Sequence, residues 1–219
     1  MLDYNQIAAA SQILHDHWRA GTKLGGLETS LRPRDRAEAY AIQAAIEIQS
    51  GGKLFGWKIA ATSEAGQKHI NVDGPMAGRI LPETVIADGG TASMAGNEMR
   101  VAEPEFAFRM RTDLPPRHSP YTVQEVLDAV DTLHPAIEIP DSRFSDFVGA
   151  GAEQIIADNA CAHLFVLGAP RGLLGDPTTF LAKAAFRTVF LGCGFGAVCA
   201  AAFWLAGVAG GVRNREPIR

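Results

Sequence analysis

The sequence predicts an α+β fold, and two observations carry the prediction. Helical periodicity fills the first 50 residues, and period-two alternation takes over from Leu54. Helices gathered at the front with strands behind them do not make the regular alternation of a parallel βαβ fold. We divide the chain into a helical region (1–52), a strand-rich region (53–175) and an apolar tail (176–219), all in one domain.

Residues 3–20 read as an amphipathic helix, with Ile7, Leu14 and Trp18 on one stripe and Gly21 as its stop. Asp35 opens a second helix. Glu38 lies three residues on, as in a capping box, Ile42, Ala45 and Ile46 form the apolar stripe, and Gly51-Gly52 ends it. Phe55, Trp57 and Ile59 then share one face of a strand, with Lys58 on the other. Residues 60–80, which include Gly66, Gly74 and Gly78, read as a short helix and a loop. A strand is expected over 102–110. Thr122 and Glu125 make a second capping box, heading a helix that carries Val126, Leu127, Val130 and Leu133. Short strands are expected over 136–139 and 161–167.

Glu103 and Glu105 are the most informative pair. On a strand they project to the same side, opposite Pro104, Phe106 and Phe108. Adjacent carboxylates repel, and a cation is the usual compensation. The competing reading is a solvated face on an edge strand, which Pro104 permits. Glu138 lies between Ile137 and Ile139 in an apolar stretch.

A net charge of −4 gives no reason to expect nucleic acid or an anionic membrane surface. Cys161, Cys193 and Cys199 cannot all pair within the chain and form no zinc pattern, so a reduced cytoplasm is expected. No basic stretch followed by an apolar run opens the chain, so no signal peptide is expected. None of the cysteines sits in an activating motif. His15 and His17 are read as surface residues, His134 and His163 as packed or capping ones, and His69 as a loop residue. No phosphate-loop motif is present.

Five segments in order, Gly56-Trp-Lys-Ile-Ala-Ala-Thr-Ser63, Val72-Asp-Gly-Pro-Met-Ala-Gly78, Ala102-Glu-Pro-Glu-Phe-Ala-Phe108, Ala136-Ile-Glu-Ile-Pro-Asp-Ser-Arg143 and Ala157-Asp-Asn-Ala160, resemble the 2-keto-4-pentenoate hydratase branch of the fumarylacetoacetate hydrolase superfamily. The resemblance covers roughly residues 5–168. It implies a mixed β-roll or sandwich behind the N-terminal helices. It implies Mg²⁺ or Mn²⁺ held by Glu103, Glu105 and Glu138, with Lys58 as the catalytic lysine. Asp141, Ser142, Arg143 and Asn159 fall at substrate-binding positions. The implied reaction is hydration of 2-hydroxy-2,4-dienoates in aromatic catabolism, by a cytoplasmic homo-oligomer able to associate with a related decarboxylase. Open alternatives are a 4-oxalocrotonate decarboxylase-like enzyme, an acylpyruvate C–C hydrolase, or a catalytically inactive partner subunit.

Two departures stand out. Met76 occupies a position where many hydratases of this kind carry an acid. After Gly168 the pattern stops, and the strands that complete the β-roll are not recognisable. Residues 188–212 instead form an uncharged run of 25, six of them glycine. Such a run is long enough to cross a bilayer, although a buried or poorly ordered tail is the preferred reading. An altered reading frame would produce so abrupt a change.

Overall fold

The computed structural model describes residues 1–170 and the backbone of a strand at 187–191. Its first helix, α1 (Tyr4–Ala20), begins where the Asp3 carboxylate accepts from the Gln6 N–H and the Gln6 side chain accepts from the Asp3 N–H, both at 2.9 Å. Gly21, at φ 63°, closes the helix in a left-handed cap. The second, α2 (Arg36–Ala45), starts at Asp35, but the capping box is only half made. Glu38 does not reach back to Asp35; it accepts from the Leu2 N–H at 2.8 Å and from the Arg34 backbone and guanidinium, tying the chain start to α2. Ala39 and Ile42 are fully buried. Ala45 and Ile46 are only half-buried, because the last turn tightens to a 3₁₀ helix at Ile46–Ile48.

The strands are β1 (Gly56–Ala60), β2 (Met76–Ile80), β3 (Val85–Ile86), β4 (Glu103–Met110), β5 (Val130–Ile139), β6 (Leu164–Leu167) and β7 (Arg187–Leu191). They form one mixed sheet in the order β2-β1-β7-β4-β5-β6-β3. Short helices α3 (Glu64–His69), α4 (Val123–Asp128) and α5 (Ala152–Ala157) complete the described elements. The α+β class is as expected, while several boundaries differ. β2 replaces part of the expected loop. Its glycine and its mixed composition hide a strand whose order comes from pairing with β1. The helix headed by Thr122 stops at Asp128, and Val130 and Leu133 belong to β5; a spacing of three fits a helix and a bulged strand alike. Cys161 lies in a turn before β6, and α5 was not expected. β7 arises within the stretch expected as an apolar tail. Most of the 188–212 run lies outside the described residues. Among the described residues no helix is long and apolar enough to cross a membrane.

The two sheet faces divide the work. Trp57, Ile59, Ala77 and Phe108 pack with Val126, Leu127, Val130 and Leu133 on one side. The other face carries the alternate residues, including Lys58, Glu103, Glu105 and Glu138, beside a small apolar cluster of Ile80, Ala107, Ala136 and Phe165. Helices α1, α2 and α5 share a third core with Ala60, Met76 and Phe144.

Two carboxylates make the fold acid-sensitive. Hydrogen bonds from Arg34 hold the Glu38 carboxyl at about 2, and Arg117 with Thr122 does the same for Glu125, both below the ordinary 4.5. Their folded values are depressed, so the stability they contribute is complete above pH 4.5 and is lost as pH falls toward 2. In urea unfolding across this window, Glu38→Gln will have a shallower loss of stability than wild type and a lower stability at pH 7. An identical pH slope in both proteins would refute the assignment.

Candidate active site

Glu103 and Glu105 reach one face of β4 because they are two residues apart. β5 runs antiparallel beside it and sets Glu138 directly opposite Glu103. One carboxylate oxygen from each of the three lies within 4.8 Å of the other two. Glu105 and Glu138 are buried and Glu103 is half-buried. Hard, anionic oxygen donors this close together fit a divalent cation such as Mg²⁺, Mn²⁺ or Ca²⁺.

Lys58 reaches the same cluster from β1. Register through β7 pairs it, by way of position 189, with Ala107 and so with the glutamate face. Its Nζ lies 2.9 Å from Glu138 Oε1 and donates to the Ala160 carbonyl at 3.0 Å, and the side chain is 2% exposed. A fully buried ammonium needs such partners. Gly78 sits opposite Lys58 in β2. A Cβ there would stand 3.0 Å from Lys58 Cδ and 2.5 Å from the Asn159 carbonyl oxygen, so the lysine stem crosses a strand position that only glycine leaves open. Gly78 ends the segment 72–78, where nothing local marks it for this role.

Asn159, Ala160 and Cys161 form a turn with three successive non-glycine φ values of 56, 50 and 61°. Left-handed backbone costs about 1–2 kcal/mol per residue, so neighbours must enforce the turn. Asn159 bonds the Arg79 backbone at both ends of its amide: the Arg79 N–H donates to Oδ1 at 2.6 Å, and Nδ2 donates to the Arg79 carbonyl at 2.8 Å.

Asp141, Ser142 and Arg143 enter a separate buried network. Asp141 pairs with Lys23 and accepts from the Glu98 N–H at 3.0 Å. Ser142 donates to Asp158 at 2.7 Å. The Arg143 guanidinium grips the Asp158 carboxylate and backbone carbonyl and reaches the Ala162 carbonyl at 3.0 Å. Arg143 is 4% exposed and Asp158 1%. The structure thus joins Lys58 to the three glutamates, whereas the polar groups of Asp141, Ser142, Arg143 and Asn159 bond other parts of the protein. Lys23 and Asp158 were missed. Asp158 stood in a quoted motif, but nothing local marks Lys23.

Among the remaining cysteine and histidine positions, Cys161, His15, His134 and His163 are packing residues. Burial pushes the Cys161 thiol up to about 12, which rules it out as a nucleophile near neutral pH. Burial lowers His163 to about 4, and its Nδ1 accepts from the Trp18 indole at 2.8 Å. His15, expected at the surface, is buried against the Trp18 ring at 5.8 Å between centroids, because α1 turns that face inward. His134 is buried between Thr132 and the Gly168 carbonyl, and His69, expected in a loop, is exposed at the last residue of α3.

No family model matches the chain. It is 32% identical over 171 residues to 2-keto-4-pentenoate hydratase of Paraburkholderia xenovorans (strain LB400), an overlap of 75% of this chain and 62% of the relative. It is 32% identical over 179 residues to 2-keto-4-pentenoate hydratase of Burkholderia vietnamiensis (strain G4 / LMG 22486), covering 80% and 67% of the two chains. The chain therefore spans about 62% of the length of the former. In three dimensions it matches a 4-oxalocrotonate decarboxylase from Pseudomonas putida G7, solved with magnesium and adipate, with a TM-score of 0.67, 20% identity and 89% of each chain covered. The fold is shared.

The Arg143–Asp158 pair gives a direct test of the framework. Asp158→Asn keeps the shape and leaves the guanidinium buried against a neutral partner, at an expected loss of about 3–5 kcal/mol. Chemical denaturation measures it, and a loss below about 1 kcal/mol would show that the pair does not hold this part of the fold.

Proposed function

The chain belongs to the 2-keto-4-pentenoate hydratase branch of the fumarylacetoacetate hydrolase superfamily, and we propose that it is a divalent-metal-dependent lyase hydrating 2-hydroxy-2,4-dienoates in aromatic catabolism. The observation that carries this reading is the meeting of Glu103, Glu105 and Glu138, with Lys58 Nζ 2.9 Å from one of them. The three glutamates would hold Mg²⁺ or Mn²⁺. When bound, the ion supplies Lewis acidity to the oxygens of a 2-oxo acid.

The chain's own groups do the rest. Glu138 and Ala160 account for two of the three N–H donors of Lys58, and the third is offered to the carboxylate of an incoming acid. From that position Lys58 orients the substrate carboxylate and can pass a proton from Nζ. Burial strengthens each of these contacts by excluding water. Arg143, Asp158, Ser142 and Asp141 brace the segment that ends in the Ala160 carbonyl. A cytoplasmic setting suits the buried free thiol of Cys161.

Met76 favours a second reading. It is 1% exposed at the start of β2, so this position offers a thioether instead of a proton-handling carboxylate. Decarboxylation of a 2-oxo-3-enedioate needs no activated water and fits such a site.

Turnover assays distinguish these outcomes. With Mg²⁺, a 2-hydroxy-2,4-dienoate will be hydrated without release of CO₂, and EDTA will abolish the reaction. Release of CO₂ from an oxalocrotonate would favour the decarboxylase instead, and metal binding without any turnover would favour an inactive partner subunit. Glu138→Gln will weaken Mn²⁺ binding by on the order of 100-fold or more, since even the outer partners of metal ligands contribute about 10- to 100-fold. Unchanged Mn²⁺ affinity by calorimetry would remove Glu138 from the ligand set.

A further inference from the structure

We infer that Asn159 is a positioning residue that acts through Lys58 and does not itself meet substrate. The inference rests on the proposed role of Lys58. The Ala160 carbonyl accepts from Lys58 Nζ at 3.0 Å from within a run of three left-handed residues. Returning those residues to ordinary φ values would turn the peptide planes and aim that carbonyl elsewhere. The direction of the Lys58 ammonium therefore depends on whatever holds the turn.

Asn159 holds it in two ways. Asparagine is among the non-glycine residues that best tolerate this backbone region. Its amide also pairs with the N–H and carbonyl of Arg79, at 2.6 and 2.8 Å, as a neighbouring strand would. Among the described strands β2 ends the sheet, and its other side is taken by β1. The amide thus locks the turn to the strand that lies against the lysine stem. Gly78 allows the approach, since a Cβ there would lie 2.5 Å from the Asn159 carbonyl oxygen. The chain of contacts runs from the Arg79 backbone to Asn159, through the Ala160 carbonyl to Lys58, and on to Glu138. With both ends of the amide engaged on β2, Asn159 is fixed as a tether.

Asn159→Gly separates the tether from the backbone conformation, because glycine adopts positive φ freely. A crystal structure of this variant is expected to show the Ala160 carbonyl turned away and the Lys58–Ala160 hydrogen bond broken. Its affinity for Mn²⁺ will stay within about twofold of wild type, while kcat on a 2-hydroxy-2,4-dienoate falls about tenfold at nearly constant KM, the size expected for one hydrogen bond to a charged group. In a Lys58→Met background the same substitution will cause no further loss. Lys58 and Ala160 unmoved in the variant crystal, or equal losses in both backgrounds, would overturn the inference. If wild type binds Mn²⁺ but turns over no dienoate, the functional reading fails and the variant crystal alone decides the positioning claim.

Discussion

Three carboxylates and one ammonium on a single sheet face set the terms for the rest of this molecule. Two carboxylates about 4 Å apart repel by about 4 kcal/mol at an effective dielectric near 20. Glu103, Glu105 and Glu138 are grouped within 4.8 Å, and Lys58 offers them a single positive charge. Carboxylates held this close in a largely buried place call for compensating positive charge, and three hard oxygen donors have the chemistry that suits a dication. A protein that needed only a stable sheet would place apolar residues here, as it does one step away with Ala107, Ala136 and Phe165.

Keeping such a cluster in register requires a stiff surround. Glu138 is placed by antiparallel pairing with Glu103, and Lys58 by pairing through β7. The Ala160 carbonyl is placed by a left-handed turn that Asn159 fastens to β2. Behind the turn, Asp158 and Arg143 form a buried ion pair with further bonds from Ser142 and to the Ala162 carbonyl. A buried ion pair is weak as a source of stability but strict in its geometry. Backbone strain and buried charge thus lie beside the glutamate cluster, where they hold its geometry.

The legible parts of the chain were those with short-range causes. α1 shows its capping residue and terminal glycine, and β4 shows its alternation with both acids on one side. Elements that depend on partners were harder. β2 contains Gly78 and no clean alternation, and it is a strand because β1 pairs with it. Val130 and Leu133 fit a helical spacing as well as β5, and the strand prevails because β4 pairs with both positions. The roles of Asp141 to Arg143 turned on Lys23, 118 residues from Asp141, and on Asp158. No local pattern carries contacts of that range.

The sequence by itself determined the donor chemistry: hard acidic oxygens two apart on a strand, a third acid in a second apolar strand, and a lysine in an earlier one. Side-chain alternation along a strand is local, so residue order suffices for it. Tertiary structure decided which of these groups meet, because strand pairing and the reach of the Lys58 side chain across Gly78 are long-range. It also decided that Asn159 bonds the backbone of β2 and that Arg143 bonds Asp158, since a buried polar group takes whichever partner the fold brings within reach.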